Sequence, residues 1–269
     1  MIRLPDTGYI QAIKELREVT FNSLFARSVV EKHVDGKVFV DNLQDPRVFY
    51  VLHPYGMALL YGDVSSTFFE SELKDFLTRN KNINIGKWVQ VFPLDISKII
   101  DEIIANLDPS ENTTIIKLKR INFKFNLERY RNFRDKLDLE KYFLCEIEKS
   151  VFNEFNGGVV PKNFWNNAKD FISKGSGFSL IVDEHPASIA FSSFVHEDML
   201  ELGMETKPGY RKKGYASIVC AKLIDHCLEN GLEPIWACSS ANDASYELAK
   251  KLGFEPAQHL PYYELKNIN

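Results

Sequence analysis

No apolar run in this chain approaches the roughly 20 residues that a bilayer-spanning helix needs, so a transmembrane anchor is not expected. Cysteine is scarce: Cys145, Cys220, Cys227 and Cys238 are the whole set. None forms C-x-x-C and none is matched by histidines at zinc-finger spacing, so reduced, mostly buried thiols are expected. The six histidines are scattered without an H-E-x-x-H, and neither metal catalysis nor a bound metal is expected. The nucleotide-triphosphate pattern G-x-x-x-x-G-K-[ST] and the dinucleotide pattern G-x-G-x-x-G are both missing. An excess of positive charge is missing too. With 33 Lys and Arg against 37 Asp and Glu, the net charge is −4, which argues against gripping nucleic acid or an anionic membrane. The start, MIRLPDTGYIQAIKEL, has neither the apolar core nor the cleavage site of a secretory signal, so a cytoplasmic protein is expected.

What is present is an ordinary globular composition, 45% hydrophobic and 26% charged over 269 residues, long enough for two domains. The breaker cluster Asp108-Pro109-Ser110-Glu111-Asn112 suggests a boundary, giving an N-terminal α/β domain over 1–112 and a second domain over 113–269. In the first, "RVFYVLHPYGMALLYGD" reads as two strands around the His53–Gly56 turn. Ser66 or Thr67 can cap a helix through Arg79, with Phe68, Phe69, Leu73, Phe76 and Leu77 as its apolar stripe. "KWVQVFPL" reads as a strand ended by Pro93, and "DISKIIDEIIANL" as a helix capped by Asp95.

From Thr113 the pattern changes. "TTIIKLKRINFKFN" alternates like a pair of edge strands, while "LEKYFLCEIEKSVFNEF" and "PKNFWNNAKDFISKG" read as helices. "GFSLIVD", "PASIAFSSFVH" and "MLELGMET" follow as an antiparallel meander joined by short polar turns. A helix from Tyr215 to Asn230, a strand "EPIWACS", a helix capped by Asn242 or Asp243 and a closing strand "HLPYYEL" complete the order. The expected fold is α/β with a mixed sheet.

Between the third meander strand and its helix stands "TKPGYRKKGYA". Arg211, Lys212 and Lys213 sit where the first-turn N–H groups have no intrahelical acceptor and where the macrodipole is already positive. Gly214 leaves the backbone open to close approach. A phosphate or pyrophosphate relieves that crowding of positive charge.

The spacing R-x-x-G-x-A, filled by Arg211, Gly214 and Ala216, resembles the acyl-CoA pyrophosphate loop of the GNAT superfamily of N-acetyltransferases. "LGMETKPGYRKKGYA" is similar to that family's fourth strand and loop, and "NDASYELAKKLGFEP" to its later helix. The resemblance covers roughly residues 115–269. Within the superfamily the chain looks most like the bacterial zwittermicin-resistance-type acetyltransferases, which carry a similar extra N-terminal region. Residues 1–112 then represent either a degenerate GNAT-like half or a lid over the acceptor pocket.

The resemblance implies acetyl-CoA as acyl donor and a primary amine of a small molecule as acceptor, reacting by direct attack in a ternary complex. It implies that backbone groups of Met204, Glu205 and Thr206 bond the pantetheine arm and Asn242 bonds it from the other side. The amides and cations of Arg211, Lys212, Lys213, Gly214, Tyr215, Ala216 and Ser217 then hold the pyrophosphate. Glu201 and Glu205, four residues apart on one side of the strand with Gly203 between them, suit a cationic amine that approaches the thioester over that bare backbone and must lose a proton. The family's usual thiolate-protonating tyrosine falls on Ala249 here; Tyr246, one helical turn earlier, is the substitute expected, with Cys238, Tyr262 and Tyr263 as further candidates. Ala249 also keeps open a CoA-binding regulatory protein with little turnover. A third reading, an aminoacyl-tRNA-dependent transferase built from two GNAT-like halves, is disfavoured by the intact loop and the lack of a broad basic surface.

Overall fold

The computed structural model describes residues 1–64, 69–79, 86–108 and 113–267. The chain divides into two compact units, one of Met1–Arg120 with His259–Asn269 and one of Ile121–Gln258.

The first unit runs β1 (Ile2–Arg3), α1 (Tyr9–Leu16), α2 (Leu24–Val30), β2 (Lys37–Val40), β3 (Val48–Leu52), β4 (Met57–Gly62), α3 (Phe69–Arg79), β5 (Trp88–Phe92) and α4 (Ile96–Ala105). It also holds the start of β6 (Thr113–Phe125). Strands β1 to β4 pair antiparallel in sequence order, and β5 then joins β4 in parallel after the α3 crossover. Every residue of β3 is buried, as are the residues of β4 up to Tyr61. Such unbroken apolar runs are what strands covered on both faces require. The His53–Gly56 turn between them closes with the Gly56 N–H donating to the His53 carbonyl (2.9 Å), as its residues predict. Leu73, Phe76 and Leu77 of α3 and Ile96, Ile100 and Ile103 of α4 enter the core, where periodicity puts them. Ser66, Thr67 and Phe68 lie outside the described residues, as does the expected boundary at Asn112. Asp95 stands at the α4 N-cap position without capping it; its carboxylate accepts from Lys98 Nζ instead (2.7 Å).

The second unit continues with the end of β6, then α5 (Leu127–Arg134), β7 (Phe143–Glu146), α6 (Lys149–Glu154), α7 (Ala168–Lys174), β8 (Gly177–Val182), β9 (His185–His196), β10 (Met199–Thr206), α8 (Tyr215–Glu229), β11 (Glu233–Ile235), β12 (Ala237–Ser239) and α9 (Asp243–Lys251). The final strand, β13 (Phe254–Asn267), starts in this unit and finishes in the first, where Tyr262 opposes Gln90 of β5. The expected meander is β8–β9–β10, antiparallel, with β7 on its outer edge and β11 parallel to β10.

Besides "PKNFWNNAKDFISKG", where only a 3-10 turn at Pro161–Asn163 and the seven-residue α7 form in place of one helix, three expectations change. "TTIIKLKRINFKF" is one 13-residue strand, not two; it contains no glycine or proline to turn it. The stretch from Leu139 yields a single 3-10 turn, then β7, and only then the short α6. Phe143 to Glu146 opposes Ile181 to Phe178, so the free edge of β8 captures a segment whose local pattern reads as helix. The third is "EPIWACS", which breaks at Trp236 into β11 and β12, lying in different sheets.

The two units repeat one order of elements: an antiparallel three-strand meander, a crossover helix, a parallel fourth strand, a helix and a long last strand. In the second unit α8 buries Ile218, Val219, Cys220, Ala221, Leu223, Ile224 and Cys227, a wider face than one stripe. Tyr130 of α5 explains part of the excess, since its hydroxyl donates to the Ala221 carbonyl (2.8 Å) and so covers a further side of the helix. Burying each large aliphatic chain contributes about 1.5–3 kcal/mol, which makes α8 the rigid base of the loop that precedes it.

Candidate functional site

Strands β10 and β11 pair only at Met199–Glu233, Leu200–Pro234 and Glu201–Ile235. Beyond Glu201 the chain of β11 leaves at Trp236, whose ring is buried and whose Nε1 donates to Ser245 Oγ (3.2 Å). Leu202 to Thr206 stay paired with β9 on one side only. The result is a forked sheet with an open backbone edge, the geometry that accepts an added extended segment. In the first unit the corresponding strands pair along all five rungs, Met57–Trp88 to Tyr61–Phe92, which leaves no such fork. Its β4–α3 connection also carries no Lys, Arg or R-x-x-G-x-A.

The chain leaves β10 through a turn at Pro208–Tyr210 and reaches α8 through Lys212 (φ +62°) and Gly214 (φ +82°). Both lie in the left-handed region, and only the glycine is at ease there. Among the described residues no acceptor meets the N–H groups of Lys212, Lys213, Gly214, Tyr215 and Ala216. The first helical return bond is Ser217 N–H to the Gly214 carbonyl (3.1 Å). A Cβ on Gly214 would meet nothing within 4 Å. Open space therefore lies over a row of donors, and the residues fit a diphosphate.

The cations are arranged unevenly. Arg211 turns back to β10, where Nε donates to the Thr206 carbonyl (3.0 Å) and Nη2 reaches Glu205 Oε1 (3.2 Å). Lys213 Nζ lies over the Tyr210 ring at 5.3 Å, and Tyr215 touches the rings of Tyr210 and Tyr142. Lys251, from "KLGF", brings Nζ to Ser217 Oγ (3.2 Å) and places a further cation at the start of α8. Sequence reasoning used that lysine only as part of a marker; its distance of 34 residues from Ser217 hid the contact.

Asn242 caps α9 by accepting the Ser245 N–H (3.1 Å), so its exposed amide nitrogen is the end left for a ligand. Tyr246 follows one turn later, with its N–H on the Asn242 carbonyl (3.0 Å) and its ring against Phe123 (5.7 Å). Its hydroxyl makes no hydrogen bond among the described residues. Ala249 is fully buried in the core. Cys238 is buried as well, and Tyr262 and Tyr263 belong to the first unit.

Glu201 is 5% exposed and stands on the last rung before the fork. Glu205 is half-buried, and its Oε2 accepts the N–H groups of Gly158 (2.9 Å) and Val159 (3.2 Å). Sequence reasoning missed that loop entirely, because nothing in "NGGVV" announces a carboxylate partner 46 residues away. The open approach expected over Gly203 is absent. The room a Cβ there would take is filled by Ser193 Oγ (2.3 Å) and the Phe191 ring (2.6 Å), so the glycine admits a neighbouring strand's side chains. Met204 is half-buried, and the Thr206 carbonyl is already engaged by Arg211.

A meander, a crossover helix with unpaired leading amides and a fork beyond a parallel fourth strand define the GNAT fold of N-acetyltransferases. The family model described as GNAT acetyltransferase matches residues 15–263, and the chain belongs to that family. It is 25% identical over 256 residues, 94% of each chain, to the Bacillus subtilis (strain 168) protein described as the uncharacterized N-acetyltransferase YdfB. The crystal structure of a GCN5-related N-acetyltransferase-like protein from Streptococcus suis 89/1591 superposes with a TM-score of 0.70 at 20% identity, over 97% of this chain and 100% of that one. A tandem GNAT protein from the clavulanic acid biosynthesis pathway gives a TM-score of 0.62 at 9% identity, over 100% and 98% of the two chains. Among the described residues no helix is long and apolar enough to cross a membrane, and no group of His, Cys, Asp or Glu converges as a metal site.

Proposed function

We propose that this protein moves the acetyl group of acetyl-CoA to a primary amine of a small molecule, by direct attack with both bound together. The observation that carries the reading is the conjunction of the fork beyond Glu201–Ile235 with the five unmet amides opening α8. Acetyl-CoA supplies an activated acetyl thioester and a stable thiolate leaving group. The amides from Lys212 to Ala216, with Lys212, Lys213 and Lys251 close by, hold its diphosphate; the Ser217 N–H, expected to join them, is spent on the Gly214 carbonyl. The open edge at Met204 and Glu205 and the Asn242 amide align its amide-bearing arm, in the manner of an added strand.

Glu201, buried where the strands part, takes the proton that an ammonium must lose before it can attack. Tyr246 is the hydroxyl that returns a proton to the thiolate. A small amine is inferred from the likeness to the zwittermicin-resistance-type acetyltransferases and from these carboxylates. The second domain carries the chemistry; the first unit, with its closed β4–β5 pairing, serves as a GNAT-like half without a cofactor fork.

Calorimetric titration of CoA and acetyl-CoA into wild type and Gly214→Trp tests the seat. Wild type binds in about the micromolar range typical of enzyme metabolite sites, and the Trp variant loses binding because its ring covers the amides. Equal affinity in both proteins removes the assignment. Tight binding without thiol release across a panel of amines favours the regulatory reading instead.

A further inference from the structure

Glu205 is held from two directions. Its Oε2 accepts two consecutive amides, Gly158 (2.9 Å) and Val159 (3.2 Å), and its Oε1 takes Arg211 Nη2 (3.2 Å). Arg211 is itself fixed by the Thr206 carbonyl (3.0 Å), so the brace cannot swing away freely. On the other side of the loop, Asn163 Nδ2 donates to the Gly158 carbonyl (3.1 Å) and Lys162 Nζ to Asn156 Oδ1 (2.9 Å). Charge-assisted bonds of this kind are roughly twice as strong as neutral ones. Removing the carboxylate would take from two amides and from Arg211 Nη2 the acceptor that they share.

A proton acceptor needs a lone pair facing its substrate. Glu205 instead presents both oxygens to the protein. It also lies on the unpaired length of β10, four residues past the fork, so whatever it holds borders the edge where transfer takes place.

We propose that Glu205 is a positioning residue, which fastens the Gly157–Val159 loop beside the open edge of β10 with Arg211 as its brace. The loop so fixed forms a wall of the amine-binding space, and proton transfer stays with Glu201. Naming the wall as amine-binding rests on the acetyl-transfer reading; the fastening itself does not.

The test compares amide hydrogen exchange in the full-length wild type, Glu205→Ala, Glu205→Gln and Arg211→Gln, alongside acetyl transfer to the amines of a panel. In Glu205→Ala the Gly158 and Val159 amides exchange at least tenfold faster than in wild type. Glu205→Gln restores most of the protection, since its carbonyl oxygen still accepts both amides, and Arg211→Gln gives a smaller rise. In turnover, Glu205→Gln raises KM for the amine more than it lowers kcat and leaves the pH profile in place. A hundredfold fall in kcat with a lost limb of that profile overturns the proposal, as does unchanged exchange in Glu205→Ala. Should Glu205→Ala fail to fold, Gly157→Ala, which displaces the carboxylate, reads the same two amides. Absence of turnover by wild type with every amine counts against acetyl transfer alone, because the exchange comparison still decides the fastening.

Discussion

The side chain of Glu205 fills the room that a Cβ on Gly157 would need. An ideal Cβ there lies 2.5 Å from Glu205 Cγ and 2.9 Å from Cδ. Two residues 48 positions apart are thus fitted to each other, one by its carboxylate and the other by having no side chain. Gly157→Ala is therefore expected to destabilise the protein by about 1–3 kcal/mol, the usual range for overpacking. Chemical denaturation measures it, and in a Glu205→Ala background the same substitution costs much less, because the clash is gone.

Gly214 makes a different demand. Its φ of +82° strains any residue with a Cβ, although nothing lies within 4 Å of that atom. Gly214→Ala should cost about 1–2 kcal/mol in denaturant unfolding yet retain CoA binding within a few-fold. If Ala abolishes binding as fully as Trp, simple obstruction of the amides is not the mechanism.

Tyr130 ties α5 to α8. Its hydroxyl lies on the Ala221 carbonyl and the Asp225 carboxylate, and Arg134 Nε holds the other Asp225 oxygen (2.7 Å). Burial, followed by the bond and charge of Asp225, pushes the phenol well above its ordinary range, so it stays a donor at every working pH. Tyr130→Phe is expected to cost about 1–2 kcal/mol, read as a lower urea midpoint with an unchanged slope.

His53 is buried at the β3–β4 turn, with Nδ1 accepting the Tyr55 N–H (3.1 Å). Burial lowers its pKa from 6.5 to about 3. Between those values the unfolded chain binds a proton that the folded one refuses, so stability falls as pH drops from about 6.5 toward 3. The slope from this one group is at most about 1.4 kcal/mol per pH unit. Urea unfolding at pH 7, 6 and 5 should show a weaker pH dependence in His53→Gln than in wild type; equal dependence rules His53 out as the source.

The thiols differ in accessibility. Cys220 and Cys227 are buried, and burial pushes the Cys227 thiol up to about 12 and that of Cys220 higher still. Only Cys145, which is half-buried, is expected to react with a thiol reagent in the folded protein. Labelling at Cys220, Cys227 or Cys238 before unfolding would contradict the burial of those thiols on α8 and β12.

Much of the second unit was legible from residue patterns. The meander, α8, α9 and the glycine-bearing loop before α8 follow from strand alternation, helical periodicity, N-caps and glycine stops, which act over a few neighbouring residues. The same local rules misread "LEKYFLCEIEKSVFNEF", where the edge of β8 outbids a helical pattern, and "EPIWACS", whose break at Trp236 opens the fork.

By itself, then, the sequence determined the family, the order of most elements and the position of the loop proposed to seat an anion, because R-x-x-G-x-A and its flanking turns are encoded side by side. Tertiary structure alone decided that Glu205 grips the Gly157–Val159 loop, that Lys251 reaches Ser217, and that the ring of Phe191 closes the approach over Gly203. It also decided the shared element order of the two units. Each depends on groups brought together from distant positions by burial and strand pairing, and such meetings leave no periodic or short-range mark in the chain.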